Sequence, residues 1–158
     1  MTSPSARHRL LAGPAVAALA LAAAGGCLAA PRGSGEPLSR AAFIEQGNAI
    51  CAKGNADIMT AAQASGAGWP PSGEAGEALF ETVLTLVEQQ IDGIDDLTPP
   101  ADMQPAIDGA VADARAVLTE VEAAGSAAFF SSEEDPWAAV NAQMKELGLT
   151  ACAEEPSE

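Results

Sequence analysis

The chain is short of the residues that carry most proton transfer and metal binding. Its single histidine is His8, and it has no tyrosine. Everything beyond residue 8 therefore lacks the commonest general base and the commonest metal ligand. Zinc sites draw three or four ligands mainly from Cys and His, a set that three cysteines and one N-terminal histidine do not assemble. Haem would be left with methionines as axial ligands, and Met59, Met103 and Met144 fall on separate segments. Serines lie mostly in linkers and at helix starts, with no base to activate them. No segment alternates as a strand does, so no glycine-rich phosphate loop follows a strand. No cofactor is expected.

Basic residues are scarce too, at seven Lys and Arg against 22 Asp and Glu. All the acids lie beyond Cys27, whereas Arg7 and Arg9 precede it, so the part after Cys27 carries a formal excess of 17 negative charges. Such a surface repels phosphate backbones and anionic headgroups, which excludes ordinary nucleic-acid binding. It attracts basic partners or divalent cations, and in the plainest reading it keeps an exported domain soluble.

What the sequence does have begins at its N-terminus. "MTSPSARHR" places two arginines ahead of an uncharged run from Leu10 to Ala30. Basic end, apolar middle and small-residue exit is the order of a secretory signal. The run is long enough to span a bilayer, but it is mostly Ala and Gly and is interrupted by Pro14, so cleavage is preferred to an uncleaved membrane helix. The exit reads "AAGGC" and resembles the lipobox of bacterial lipoproteins, in which the cysteine is diacylated and becomes the new N-terminus. On this reading residues 1–26 are a signal peptide and Cys27 is the lipidation site; Ala24 departs from the Leu commonest at that position. The rival is cleavage after Ala24, which yields a secreted protein with a free thiol at its third residue. Residues 27–38, rich in Pro, Gly and Ser, read as a flexible tether between a membrane anchor and a folded body spanning 39–158.

Hydrophobic period makes that body all-α. Ile44, Cys51 and Ile58 recur at seven-residue intervals from Ser39 to Ala64, with Phe43, Ile50 and Met59 beside them. After "SGAGWPPSGE", the segment Glu74 to Leu97 sets Phe80, Val83, Leu84, Val87, Ile91, Ile94 and Leu97 at threes and fours against an acidic opposite face. Pro99 and Pro100 end it. A third helix from Asp102 carries Met103, Ile107, Val111, Ala114, Val117, Leu118 and Val121. Ser132, with Asp135 and Pro136 following, reads as the start of a fourth helix, whose apolar face is Trp137, Val140, Met144 and Leu147. Four helices joined by short breaks predict an antiparallel four-helix bundle. Cys51 on the first helix and Cys152 after the fourth suggest a disulfide in an exported domain, as against two thiols that never meet.

The phrases "FIEQGNAICAKGNADI" and "IDDLTPPADMQPAI", a cysteine at the signal exit and a last cysteine near the C-terminus resemble small exported lipoproteins of high-GC Gram-positive bacteria. The resemblance covers residues 43 to 152. It implies a helical bundle with one disulfide and an envelope location, and no activity.

Asp92, Asp95 and Asp96, with Asp102 after the turn, are candidates for weak calcium binding through oxygen ligands, although their spacing fits no EF-hand; the plain alternative is a solvated helix face. Three of them crowd a helix C-terminus against the macrodipole, which asks for something to offset them. Asn48 and Asn55 flank Cys51 and either line a polar pocket or hold a neighbouring loop. Trp69 in "GAGWPPSG" is either a binding aromatic or a lid over the end of the bundle, and Trp137 borders a groove with it. The expected function is a non-catalytic, lipid-anchored module on the outer face of the membrane that binds a protein or small ligand. The alternative is a hydrolase of envelope material that uses carboxylates alone; two Trp and four Phe give it little aromatic surface for a carbohydrate cleft.

Overall fold

The structure, a computed structural model, describes residues 35–153. The expected signal peptide, Cys27 and most of the expected tether lie outside the described residues, as do 154–158. Four α-helices follow one another: α1 (Arg40–Ser65), α2 (Gly73–Asp95), α3 (Gln104–Ser131) and α4 (Ala138–Glu146). A 3-10 turn, Thr150–Ala153, comes last, and there is no strand among the described residues.

Local chemistry sets most of the helix ends. Ser39 caps α1, its hydroxyl accepting from the Ala42 N–H at 3.2 Å, and Gly66 closes the helix in the left-handed conformation. The proline pair at 99–100 stops α2 and opens α3, with Pro105 in its first turn and the N–H groups of Met103 and Gln104 donating to the Pro100 carbonyl. The Leu38 N–H donates to the Thr98 carbonyl at 2.9 Å, and Leu38 packs on the core. The folded body thus takes in the last residue assigned to the tether. Ser132 corrects the reading of the fourth helix: it terminates α3, and α4 begins only at Ala138 with Trp137 as its cap residue. Asp135 accepts from the Trp137 N–H at 2.8 Å, so the Ser-Asp-Pro signature shapes the connecting turn instead of the helix start.

Packing follows the apolar stripes with one change. On α1 the fully buried positions are Phe43, Gly47, Cys51 and Gly54, while Ile44, Ile50, Ile58 and Met59 flank them, half-buried. Two glycines on the buried face permit close approach. A Cβ on Gly47 would sit 2.5 Å from Leu149 Cδ2 and 3.2 Å from Ile94 Cδ1; one on Gly54 would meet the Gln90 side chain at 2.3 Å. Along the α1–α2 contact, positions rising through α1 meet positions falling through α2. α2 packs on both α1 and α3, α4 packs on α3, and the 3-10 turn joins α4 to α1. The main core comprises Phe43, Ile91, Ile94, Met103, Ile107, Val111, Val140, Met144 and Leu149 with Cys51.

Cys51 and Cys152 are disulfide-bonded across a sequence separation of 101. A loop of that size is worth about 4 to 5 kcal/mol in the chain-entropy account. Cys152→Ser, at a partly exposed position, is expected to lower the melting temperature by roughly 15 °C; an unchanged thermal melt would remove the bridge from the account of stability. Gly47→Ala drives a methyl into fully buried Leu149 and is expected to cost about 1 to 3 kcal/mol in urea unfolding. Gly54→Ala meets only the flexible, half-exposed Gln90 and gains helix propensity, so its denaturation midpoint should hold or rise.

Candidate functional site

Four of the expected site residues turn out to be engaged within the chain itself. Asn48 Nδ2 donates to the Gly148 carbonyl at 3.0 Å while its Oδ1 accepts from the Ala151 N–H at 2.8 Å, and Asn55 Nδ2 donates to the Ala151 carbonyl at 3.0 Å. Together with Cys51 they form one face of α1 that grips the backbone of residues 148–152. Of the two readings, holding a neighbouring segment is the one seen, since the amide groups are occupied by the last turn. Trp137 is half-buried and packs against the core, whereas Trp69 is exposed.

The acidic group at the end of α2 is drawn to cations. Arg115, reaching across from α3, donates to Asp92 Oδ1 and Asp95 Oδ2, each at 2.9 Å, and Arg40 pairs with Asp102 at 2.9 Å. Among the described residues, no group of three or more His, Cys, Asp or Glu is arranged to hold a metal ion. Of the acids read as weak calcium candidates, Asp92, Asp95 and Asp102 are thus engaged in ion pairs, and Arg115 is a charge that offsets the macrodipole there. The two carboxylates, Asp92 first, raise the pKa of Arg115. Hydrogen bonding from Arg40 holds Asp102 below the ordinary carboxylate value of 3.8. Because that folded-state value is depressed, the tie operates above 3.8 and is lost as pH falls through the lowered value. Both partners are exposed, so its contribution to stability is small.

The other end of the molecule is built differently. Phe80 on α2 packs against Phe129 and Phe130 on α3, with ring centroids 5.6 and 6.2 Å away, and Phe130 meets Trp69 edge-on at 6.4 Å. Phe80 is buried and the α3 pair half-buried, but Trp69 is 85% exposed, the one large hydrophobic so exposed among the described residues. It is no lid. The α3 phenylalanines are aimed by a break in the helix at Gly125, whose φ of 81° and ψ of 168° lie in a region nearly confined to glycine. The sequence reading ended its third stripe at Val121 and overlooked both this break and the Phe pair; "AAGS" ahead of "FF" was the available signal. A shallow cleft of 330 Å³ lies nearby, between the end of α1 and the start of α2, walled by Ala61, Ala64, Ala75 and Ala78. A second, of 220 Å³, runs beside Arg115, Glu88 and Glu122.

Among the described residues, the segments that form this end carry no Lys or Arg. No Lys or Arg occurs from residue 54 to 114 or from 116 to 144. Glu74, Glu77 and Glu81 lie on the first turns of α2 beside Phe80, and Glu133, Glu134 and Asp135 follow Phe130 within five residues; all six are exposed. The ion pairs found among the described residues, besides those of Arg40 and Arg115, reduce to Lys53 with Asp57. What the arrangement offers chemically is an apolar aromatic surface with an exposed acidic border.

No family model, no curated protein and no solved structure matches the chain. Among the described residues, no helix is long and apolar enough to cross a membrane.

Gly125→Ala is expected to cost about 1 to 3 kcal/mol, because alanine resists that backbone conformation. Trp69→Ala should leave the melting temperature nearly unmoved, since little of its surface is covered. Thermal melts of the two variants side by side test the division between a ring set that folds the chain and a ring that does not.

Proposed function

We infer that the protein is an exported, lipid-anchored binding module on the outer face of the cell membrane, without catalytic activity of its own. The observation that carries this reading is the cysteine arithmetic. The chain has three cysteines, and Cys51 and Cys152 are bonded to each other. Cys27 is then the odd one, preceded by a basic-apolar-small signal and followed by a segment with no hydrophobic period. A structural disulfide fits an oxidising compartment, and diacylation gives the third cysteine a use there; two acyl chains suffice for stable anchoring. The resemblance to exported lipoproteins of high-GC Gram-positive bacteria points the same way.

Support for a non-catalytic role comes from the carboxylates. Hydrolysis by acids alone asks for a pair in contrasting environments, one of them kept protonated by burial. Among the described residues, no polar or charged side chain is buried, and Asp92 and Asp95 share one guanidinium.

Intact mass of the protein from the membrane fraction of its producing cells tests the reading. The expected mass begins at Cys27, includes acyl chains and rises by two hydrogens on reduction. A lipid-free chain beginning at Gly25 and recovered from the medium would overturn the anchor and leave a secreted protein.

A further inference from the structure

We propose that the aromatic end is a docking surface for a basic, amphipathic helical segment of a partner protein, its apolar face on Trp69, Phe129 and Phe130 and its Lys and Arg on the surrounding carboxylates. This deepens the binding-module reading and rests on it, but it does not depend on the lipid anchor.

Three observations converge. The first is the exposure of Trp69: an 85% exposed indole, meeting Phe130 edge-on, leaves most of its surface open. Aromatic residues that fold little and present much are the usual anchors of interfaces. The second is shape. α4 has nine residues and α1 has 26, about 14 Å against about 39 Å of helix, so the fourth element covers only part of the length of its neighbours. The half-buried Phe129 and Phe130 lie beyond it, outside the main core. The third is charge, and it selects the occupant. Glu74, Glu77, Glu81, Glu133, Glu134 and Asp135 border the patch, and no base lies near them in sequence. A second copy of this chain would bring acid against acid, and an anionic membrane surface would be repelled in the same way. A basic segment gains attraction from every one of these groups, and an amphipathic helix supplies the apolar stripe that the rings can cover.

The test uses the full chain in phosphatidylcholine vesicles, with Trp137→Phe so that Trp69 is the only indole present. The probe is an amphipathic peptide of leucine and lysine alone, with its leucine–glutamate counterpart and protein-free vesicles as controls. The expected result is a saturable blue shift of Trp69 emission with the lysine peptide only, weakening as salt rises. Replacing Glu133, Glu134 and Asp135 together by their amides should reduce affinity about tenfold, the effect of three exposed ion pairs of ordinary strength. These residues are exposed and outside the core, and circular dichroism verifies that the variant stays helical. Phe130→Ala should abolish the shift. The proposal is overturned by no shift with the lysine peptide, by equal binding of the glutamate peptide, by unchanged affinity in the amide variant, or by a shift that tracks protein concentration without peptide, which would make the occupant a second copy. Failure here with an acylated Cys27 would remove the docking surface alone; an unacylated chain that binds the lysine peptide would remove the anchor alone.

Discussion

The fold depends on how α1 holds the last few residues of the described chain. Gly148 to Cys152 come a hundred residues after their partners, and nothing local obliges them to return to α1. Three kinds of interaction bring them back on one helical face: the paired amide bonds of Asn48 and Asn55, the disulfide to Cys51, and Leu149 seated where Gly47 leaves room for it. Each constrains the same five residues, so their effects reinforce one another. The bridge reduces the freedom of the unfolded chain, the amides satisfy backbone groups that packing would otherwise strand, and Leu149, fully buried, adds its surface to the core. Since the 3-10 turn packs on α4 as well, fixing it to α1 also fixes the shortest helix, which by itself is too short to be stable in water.

That clamp divides the molecule unequally. At the clamped end all four bases of the described chain are found, and Arg40, Lys53 and Arg115 are each paired with acids. The arrangement lets acidic helix ends pack without accumulating charge. At the far end the helices of α1, α2 and α3 run past the reach of α4, carry only negative charge and close on aromatic rings. A domain of this size gains most of its stability from one core, and the main cluster of that core does not include Phe129, Phe130 or Trp69. The far end is therefore free to carry features that folding alone does not require.

Much of the clamped end was legible in the sequence. The stripes on α2 and α3, the proline turn between them and the Cys51–Cys152 pairing follow from period, proline chemistry and compartment, each of which acts locally or through parity. Less legible was the buried face of α1. Hydrophobic period favoured Ile44 and Ile58, whereas close contact is also made at Gly47 and Gly54, where the side chains of Leu149, Ile94 and Gln90 lie against the bare backbone and no apolar side chain marks the position. Asn48 and Asn55 were visible as a pair around Cys51, but which groups they bond was not, since their partners are backbone atoms a hundred residues away. Ser132 misled for a physical reason: a hydroxyl followed by Asp-Pro suits a turn as well as a helix cap, and here the chain needs the turn to bring α4 back along α3. Arg115 could be seen as a lone base, but not as the neutraliser of Asp92 and Asp95 on another helix.

The break at Gly125 shows what the far end contributes to folding and what it does not. Glycine adopts that conformation without steric cost, whereas any residue with a Cβ would resist it. Beyond the break, Phe80 with Phe129 and Phe130, and those two with each other, form three aromatic pairs, each worth about 0.5 to 1.5 kcal/mol beyond its burial. Trp69 stands outside that set, because its contact with Phe130 covers little of the indole. Leaving so large an apolar ring in water is tolerated here without a return in stability, on a loop with no basic residue. The proposed docking of a basic segment would account for such a ring and for its acidic surroundings, because it covers the indole and pairs the carboxylates at once.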